Sequence, residues 1–236
     1  MSVLAALLTA MNISACVMTA AYIGGPMQSE LLQMAVMLPR EDIYNMHLDK
    51  CKVEDYNGDG LPEVYLAAAS GWEYHVYYYL DGKMYSVEAL EPWAWSSDLC
   101  ISADEHLVLY TWPHTVGTDG NYTYRIYEWT ESGYRLTEDL WSEPEERDWE
   151  GTVLSCVYFS SKTAFDPFSF GDGDYEQLLI PQEEYEQKIE NLGSLTSVFE
   201  VEPQWGWEFW QENDYEDELV LDGIYREIQE EILNWQ

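Results

Sequence analysis

The segment Asp55-Tyr56-Asn57-Gly58-Asp59-Gly60-Leu61-Pro62-Glu63 sets oxygen-bearing side chains at alternate positions, then a glycine, then one more carboxylate. That order suits a short loop wrapped around a hard cation, since Ca²⁺ takes six to eight oxygens at about 2.3–2.6 Å. A loop can supply them only by turning sharply, and Gly60 tolerates the positive φ such a turn requires. The spacing predicts ligation by the side chains of Asp55, Asn57 and Asp59, by the carbonyl of Leu61, and by Glu63 closing the shell. A metal-free Asp-Gly turn is the competing reading, because Asp, Asn and Gly dominate turns for backbone reasons alone. An EF-hand is excluded: its bidentate acid at loop position 12 would fall on Leu66.

Other chemistry-bearing residues are sparser. Trp93, Trp95, Trp205 and Trp207, with Trp210 beside them, offer flat aromatic faces on which a sugar ring can stack; packing in the core is the alternative. The histidines are His47, His75, His106 and His114, and none forms an H-E-x-x-H pair. His114 has the loop setting of a general base, but a base needs a nucleophile and an orienting acid beside it. Asp172 and Asp174, near Asp166 and Glu176, lack the alternate-oxygen order of a second cation loop and read as an acidic turn. No nucleophile elbow, phosphate-cradling loop or dinucleotide fingerprint is present. With 45 Asp and Glu residues, a carboxylate pair at glycosidase separation arises by chance and carries no weight.

The elements that must position these residues read as α+β. Residues 26–37 have helical spacing, with Leu31, Leu32, Ala35 and Val36 as the apolar stripe and Pro39 past the end. Residues 44–54 read as a strand leading into the loop. Strand-like runs follow at 63–69, 73–80, 83–89, 106–112, 122–130, 134–141 and 152–160. Asp81-Gly82 between two aromatic runs predicts a type I′ hairpin, and Glu131-Ser132-Gly133 a second hairpin with a longer loop. Helices are predicted from Pro181, ending at Gly193, and over 218–235 with Leu219, Ile224, Ile228, Ile232 and Trp235 near one face. The expected fold is a single antiparallel β-meander sheet of about six to eight strands with N- and C-terminal helices packed on it. The loop does not recur, which excludes a propeller.

Asp-x-Asn-Gly-Asp-Gly-x-Pro-Glu running straight into the apolar Val64-Tyr65-Leu66-Ala67 resembles, in single copy, the calcium loops of FG-GAP and VCBS repeats. It resembles more closely a set of secreted proteins and lipoproteins of Firmicutes that share a D-x-D/N-G-D-G-x-P-E-L segment, a β-meander and late helices. The likeness is specific over residues 50–90 and looser over 105–192. Asn57 departs from the commoner Asp, which removes a charge and weakens binding without abolishing it. The resemblance implies a structural Ca²⁺ and an extracellular or cell-surface location on a bacterium.

The chain has 236 residues, 47% of them hydrophobic, with 19 tyrosines and 11 tryptophans, which is enough to bury a core. Residues 26–236 read as one α+β domain. A net charge of −35 with only 10 basic residues excludes direct nucleic-acid binding, which depends on Lys and Arg displacing counterions. Residues 1–25 carry no charge, the first being Glu30. They read as an export signal with a lipobox-like end at Cys16, as a membrane anchor, or as a helix of the fold; the last would place the protein in the cytoplasm. Cys16, Cys51, Cys100 and Cys156 match no zinc spacing. Three functions remain open: a non-enzymatic calcium-stabilised binding domain for a glycan or protein; an acidic nucleic-acid mimic or inhibitor, supported by 16 acids against two basic residues over 181–236; and a carboxylate-based hydrolase.

Overall fold

The computed structural model describes residues 26–46, 48–68, 73–87, 90, 97–111, 123–148, 153–163, 178–199 and 218–235. The chain divides into two compact units, one of Met1–Leu66, His75–Ser86 and Gln204–Gln236, the other of Ala67–Tyr74 and Val87–Pro203. The α+β class holds, with antiparallel strands and helices toward both ends of the chain. The strands form two sheets rather than the single one expected, of four and seven strands.

The first unit is built on the sheet β1-β2-β3-β4, whose strands are β1 (Leu48–Glu54), β2 (Glu63–Ala68), β3 (Tyr74–Leu80) and β4 (Lys83–Ser86). Every residue of β2 is buried, so this strand is covered on both faces and shows no alternation. Asp81 and Gly82 both take positive φ, 50° and 78°, as the type I′ hairpin between β3 and β4 demands. Helix α1 (Pro26–Met37) buries Leu31, Met34 and Ala35, with Leu38 just past its end. Val36, expected on that stripe, is exposed, since Met34 and Leu38 complete the inward face at spacings of three and four. Arg40–Asn45 is a short helix, α2, where a strand beginning at Tyr44 was expected. Pro39 serves as its N-cap and Glu41 and Asp42 occupy its first turn, so the proline that ends α1 also starts α2.

Helix α4 (Glu218–Leu233) closes this unit with Leu221, Ile224, Ile228 and Ile232 on its buried face. Leu219 lies off that face and is 78% exposed. Gln229 Nε2 donates to the carbonyl of Ala35 at 2.6 Å, and Tyr225 Oη to that of Leu38 at 3.0 Å. Asp222 accepts hydrogen bonds from Arg40 and Tyr44.

The second unit holds the strands β5 (Ser97–Ile101), β6 (Leu107–Thr111), β7 (Thr123–Thr130), β8 (Gly133–Arg147), β9 (Val153–Ser161), β10 (Leu179–Ile180) and β11 (Thr196–Ser197), in the order β10-β9-β8-β7-β6-β5-β11. β7 and β8 are joined by the two residues Glu131 and Ser132, a tighter hairpin than expected. β8 runs six residues beyond the predicted end at Trp141, passing Pro144 with register shifts on its pairing to β9. Helix α3 (Gln182–Asn191) lies on one face, where Tyr185 and Leu192 pack with Cys100, Val108, Ile126 and Leu140. Lys188 Nζ anchors it to Glu138 at 2.5 Å. Adjacent to this core in sequence, β7 and β8 bury an ion pair: Arg125 Nε donates to Asp139 Oδ2 at 3.0 Å, with both side chains almost fully inaccessible.

Candidate metal centre

The Asp55–Glu63 segment lies wholly in the first unit and links β1 to β2. Its shape comes from the three polar side chains folding back onto their own backbone. Asp55 Oδ1 accepts the Gly58 N–H at 2.8 Å and Oδ2 accepts the Gly60 N–H at 2.9 Å. Asn57 Oδ1 accepts the Asp59 N–H at 2.8 Å, and Asp59 Oδ1 accepts the Leu61 N–H at 2.9 Å. Such side-chain turns are what Asp and Asn offer. Gly58 and Gly60 sit at φ 73° and 91°, where an L side chain is strained, so the alternate glycines are required by the backbone.

Glu63 is the first residue of β2 and only 1% exposed. Its Oε2 accepts the Tyr56 N–H at 3.1 Å and the Tyr65 hydroxyl at 2.9 Å. Tyr56 and Tyr65 pack edge to face with ring centroids 5.4 Å apart, forming an apolar wall beside a charged group. One carboxylate oxygen from each of Asp55, Asp59 and Glu63 lies within 4.8 Å of the other two. Two oxygens on one Ca²⁺ can be no further apart than about 5 Å, and each pair of the three meets that condition.

The electrostatics of the cluster agree with its geometry. Burial pushes Glu63 up to about 8; its hydrogen bonds from Tyr65 and Tyr56 oppose that, and the charges of Asp59 and Asp55 add to it. Partial burial also raises Asp59, with the Asp55 charge adding to the effect. A divalent cation favours the ionised form of every carboxylate it touches, reversing both displacements.

Asn57 enters the cluster by its nitrogen. Nδ2 donates to Glu63 Oε1, and to Asp59 Oδ2 at 3.3 Å. The bond from the Asp59 N–H fixes that orientation, since exchanging the amide ends would set two donors against each other. Ligation by the Asn57 oxygen therefore requires the carboxamide to turn. Leu61 contributes its N–H to the loop's bonding. Tyr56 and Tyr65 were not singled out from the sequence; Tyr65, two residues beyond Glu63 on a strand, shares its face by the two-residue period.

Trp93, Trp95, Trp205, Trp207, Trp210, Cys16, His47, His114 and the Asp166–Glu176 region lie outside the described residues. His75 is half-buried on β3, its Nδ1 3.0 Å from the Tyr77 hydroxyl, which donates to Asp42 at 2.5 Å. Cys51, Cys100 and Cys156 form no disulfide with one another, and burial raises the first two well above the ordinary range, Cys100 to about 12. Such thiols are inert as nucleophiles. Asp55, Asp59 and Glu63 are the one group of potential metal ligands among the described residues. Beside α4, Val53, Glu227, Glu230, Glu231, Asn234 and Trp235 line an open cleft. Compared with known protein families, with curated proteins and with solved structures, the chain matches none.

Proposed function

We propose that this chain is an exported or surface-held binding domain, without catalysis of its own, whose β1–β2 connection is stapled by a structural Ca²⁺ at Asp55, Asn57, Asp59, Leu61 and Glu63. The observation that carries the reading is the placement of Glu63. A carboxylate 1% exposed, held within 4.8 Å of two others, carries a desolvation and repulsion cost that a divalent cation offsets. Calcium is favoured over magnesium because the irregular loop offers several protein oxygens to one ion, whereas Mg²⁺ demands near-ideal octahedral geometry and keeps several waters. Free calcium is plentiful outside cells, which ties the site to export. The bound partner is a glycan or a protein, held by the tryptophans Trp93, Trp95, Trp205 and Trp207. Attachment to a membrane would run through residues 1–25 and Cys16; among the described residues no helix is long and apolar enough to cross a membrane.

The test is a thermal melt in excess chelator, then in millimolar Ca²⁺ and, separately, Mg²⁺. Ligand at a hundred times its Kd adds about 2.7 kcal/mol. For a chain of this size, that is a rise of about 5–10 °C in Tm. A rise with Ca²⁺ and little with Mg²⁺ supports the reading; no rise with either refutes it.

A second reading rests on α4, whose solvent side sets Glu227, Glu230 and Glu231 around the cleft beside Trp235. Such a carboxylate row fits an acidic mimic of a nucleic-acid surface, and inhibition of DNA binding by a basic protein would test it.

A further inference from the structure

We propose that Tyr110, Tyr124, Tyr158 and Tyr185 form a binding site for an uncharged sugar on the α3 face of the seven-stranded sheet. The site lies within the second unit, rests on the glycan half of the proposed function, and is built from residues other than the four tryptophans. Strand pairing brings the rings together. Tyr110 and Tyr124 are directly opposed on β6 and β7, and Tyr124 is opposed in turn by Leu140 on β8. Two residues beyond Leu140, Ser142 is opposed by Tyr158 on β9, so all of these share one face. On that face α3 packs Tyr185 with Leu140 and Ile126. The Tyr110 and Tyr124 rings stack with centroids 4.8 Å apart at 26°, and Tyr158 and Tyr185 meet at 4.8 Å and 42°. Tyr110, Tyr124 and Tyr158 are half-buried, so part of each ring reaches solvent.

The Tyr185 hydroxyl is what points to a ligand. Tyr185 is only 5% exposed, yet its Oη has no partner at hydrogen-bond geometry among the described residues. Burial pushes this phenol up, the neighbouring Ser142 hydroxyl opposes that, and Tyr158, Tyr110 and Cys156 add to it, which places the oxygen among those four groups. A phenylalanine would fill the same contact without burying an unsatisfied oxygen; a ligand hydroxyl would supply the partner. Burial raises Tyr158 as well, so both phenols stay neutral near pH 7 and can donate and accept. Flat rings edged by neutral hydroxyls match a sugar, whose C–H face lies on an aromatic ring while its O–H groups bond to phenols. Charge sets the class further. The net charge is −35, Asp98 is opposed to Tyr110 and Glu186 acts on Tyr158, so a nucleotide or a uronic acid is repelled.

The test is affinity electrophoresis of the full chain through gels holding a β-glucan, an arabinoxylan or a galactomannan, with pectin as the charged control. At least one uncharged polysaccharide should retard the native chain, and pectin should not. Tyr124→Ala should weaken that binding at least tenfold. Tyr185→Phe, which removes one oxygen, should weaken it at least threefold with Tm unchanged or higher; should Tyr124→Ala fail to fold, Tyr185→Phe decides the question. A lower Tm for Tyr185→Phe would make the hydroxyl a structural partner and overturns the proposal. So does retardation by none of the three polysaccharides, or binding of a proline-rich peptide in place of sugar that Tyr185→Phe leaves unchanged. Retardation that both tyrosine variants keep and that Trp95→Ala or Trp207→Ala abolishes also overturns it, but leaves the glycan reading standing. The calcium melt is untouched by any of these outcomes, so the two readings fail separately.

Discussion

Replacing Glu63 by Gln should leave the stability of the metal-free protein nearly unchanged at pH 5 and raise it at pH 8.5. Burial is the chief reason the folded carboxyl titrates at about 8 instead of its ordinary 4.5. A carboxyl raised in this way takes up a proton on folding. Its folded state is free of penalty below 4.5, loses stability as pH rises from there, and bears the full cost above 8. The gap between the two values corresponds to about 5 kcal/mol at full ionisation, a ceiling that loop relaxation reduces. Glutamine keeps an oxygen for the Tyr56 N–H and the Tyr65 hydroxyl and turns an NH₂ toward the Asn57 amide, where the protonated carboxyl turns its O–H, so it mimics the neutral form of Glu63. Glu63→Gln should therefore match the native chain within about 1 kcal/mol at pH 5 and be more stable by about 2–4 kcal/mol at pH 8.5. Urea denaturation in chelator at half-unit pH intervals measures this directly, with the native curve falling relative to that of the variant between 4.5 and 8. Parallel curves for the two proteins would show that Glu63 titrates as an ordinary carboxylate and would remove the cost on which the metal reading depends.

Two further outcomes are expected. Asp59→Ala should lower Tm in millimolar Ca²⁺ by most of the calcium-induced rise, yet cost only about 1 kcal/mol in chelator, where it loses the bond from the Leu61 N–H; equal losses in both conditions would count against a metal. Gly223→Ala should stabilise α4 by about 0.5–1 kcal/mol, because Gly223 is interior to the helix and an added Cβ meets nothing within 4 Å; chemical denaturation at any calcium level reads it.

What the sequence made legible was local. The alternate oxygens, the positive-φ glycines and the Asp81-Gly82 hairpin depend on residues within a few positions of one another, and the structure builds them as read. Helices α1 and α4 followed from apolar spacing and α3 from Pro181 and Gly193 at its ends, though Val36 and Leu219 proved to face away from the core. The division into two sheets was not legible, since which edge a strand pairs with is settled by contacts far apart in sequence. β11, two residues long, pairs with β5, nearly a hundred positions earlier. β5 itself begins with Ser97-Asp98 and lacks the aromatic alternation of its neighbours. β8 continues past Pro144, and the irregular pairing that lets the strand continue has no sequence signature of its own. In the Asp55–Glu63 loop the direction of the Asn57 amide was not legible, because it is decided by which neighbour offers it an N–H.

The packing of α1 against α4 also governs the order in which this protein can be completed. The second unit is drawn almost entirely from Val87–Pro203, while the first needs Met1–Leu66, His75–Ser86 and Gln204–Gln236 together. A growing chain therefore holds everything required for the seven-stranded sheet before α4 has been synthesised, and domains close as their segments emerge. The Leu31, Met34 and Ala35 face of α1 waits through that interval for Ile224, Ile228 and Ile232. The Asp55–Glu63 loop belongs to the unit that closes last, so its three carboxylates are held in a finished unit only after the last helix has been made.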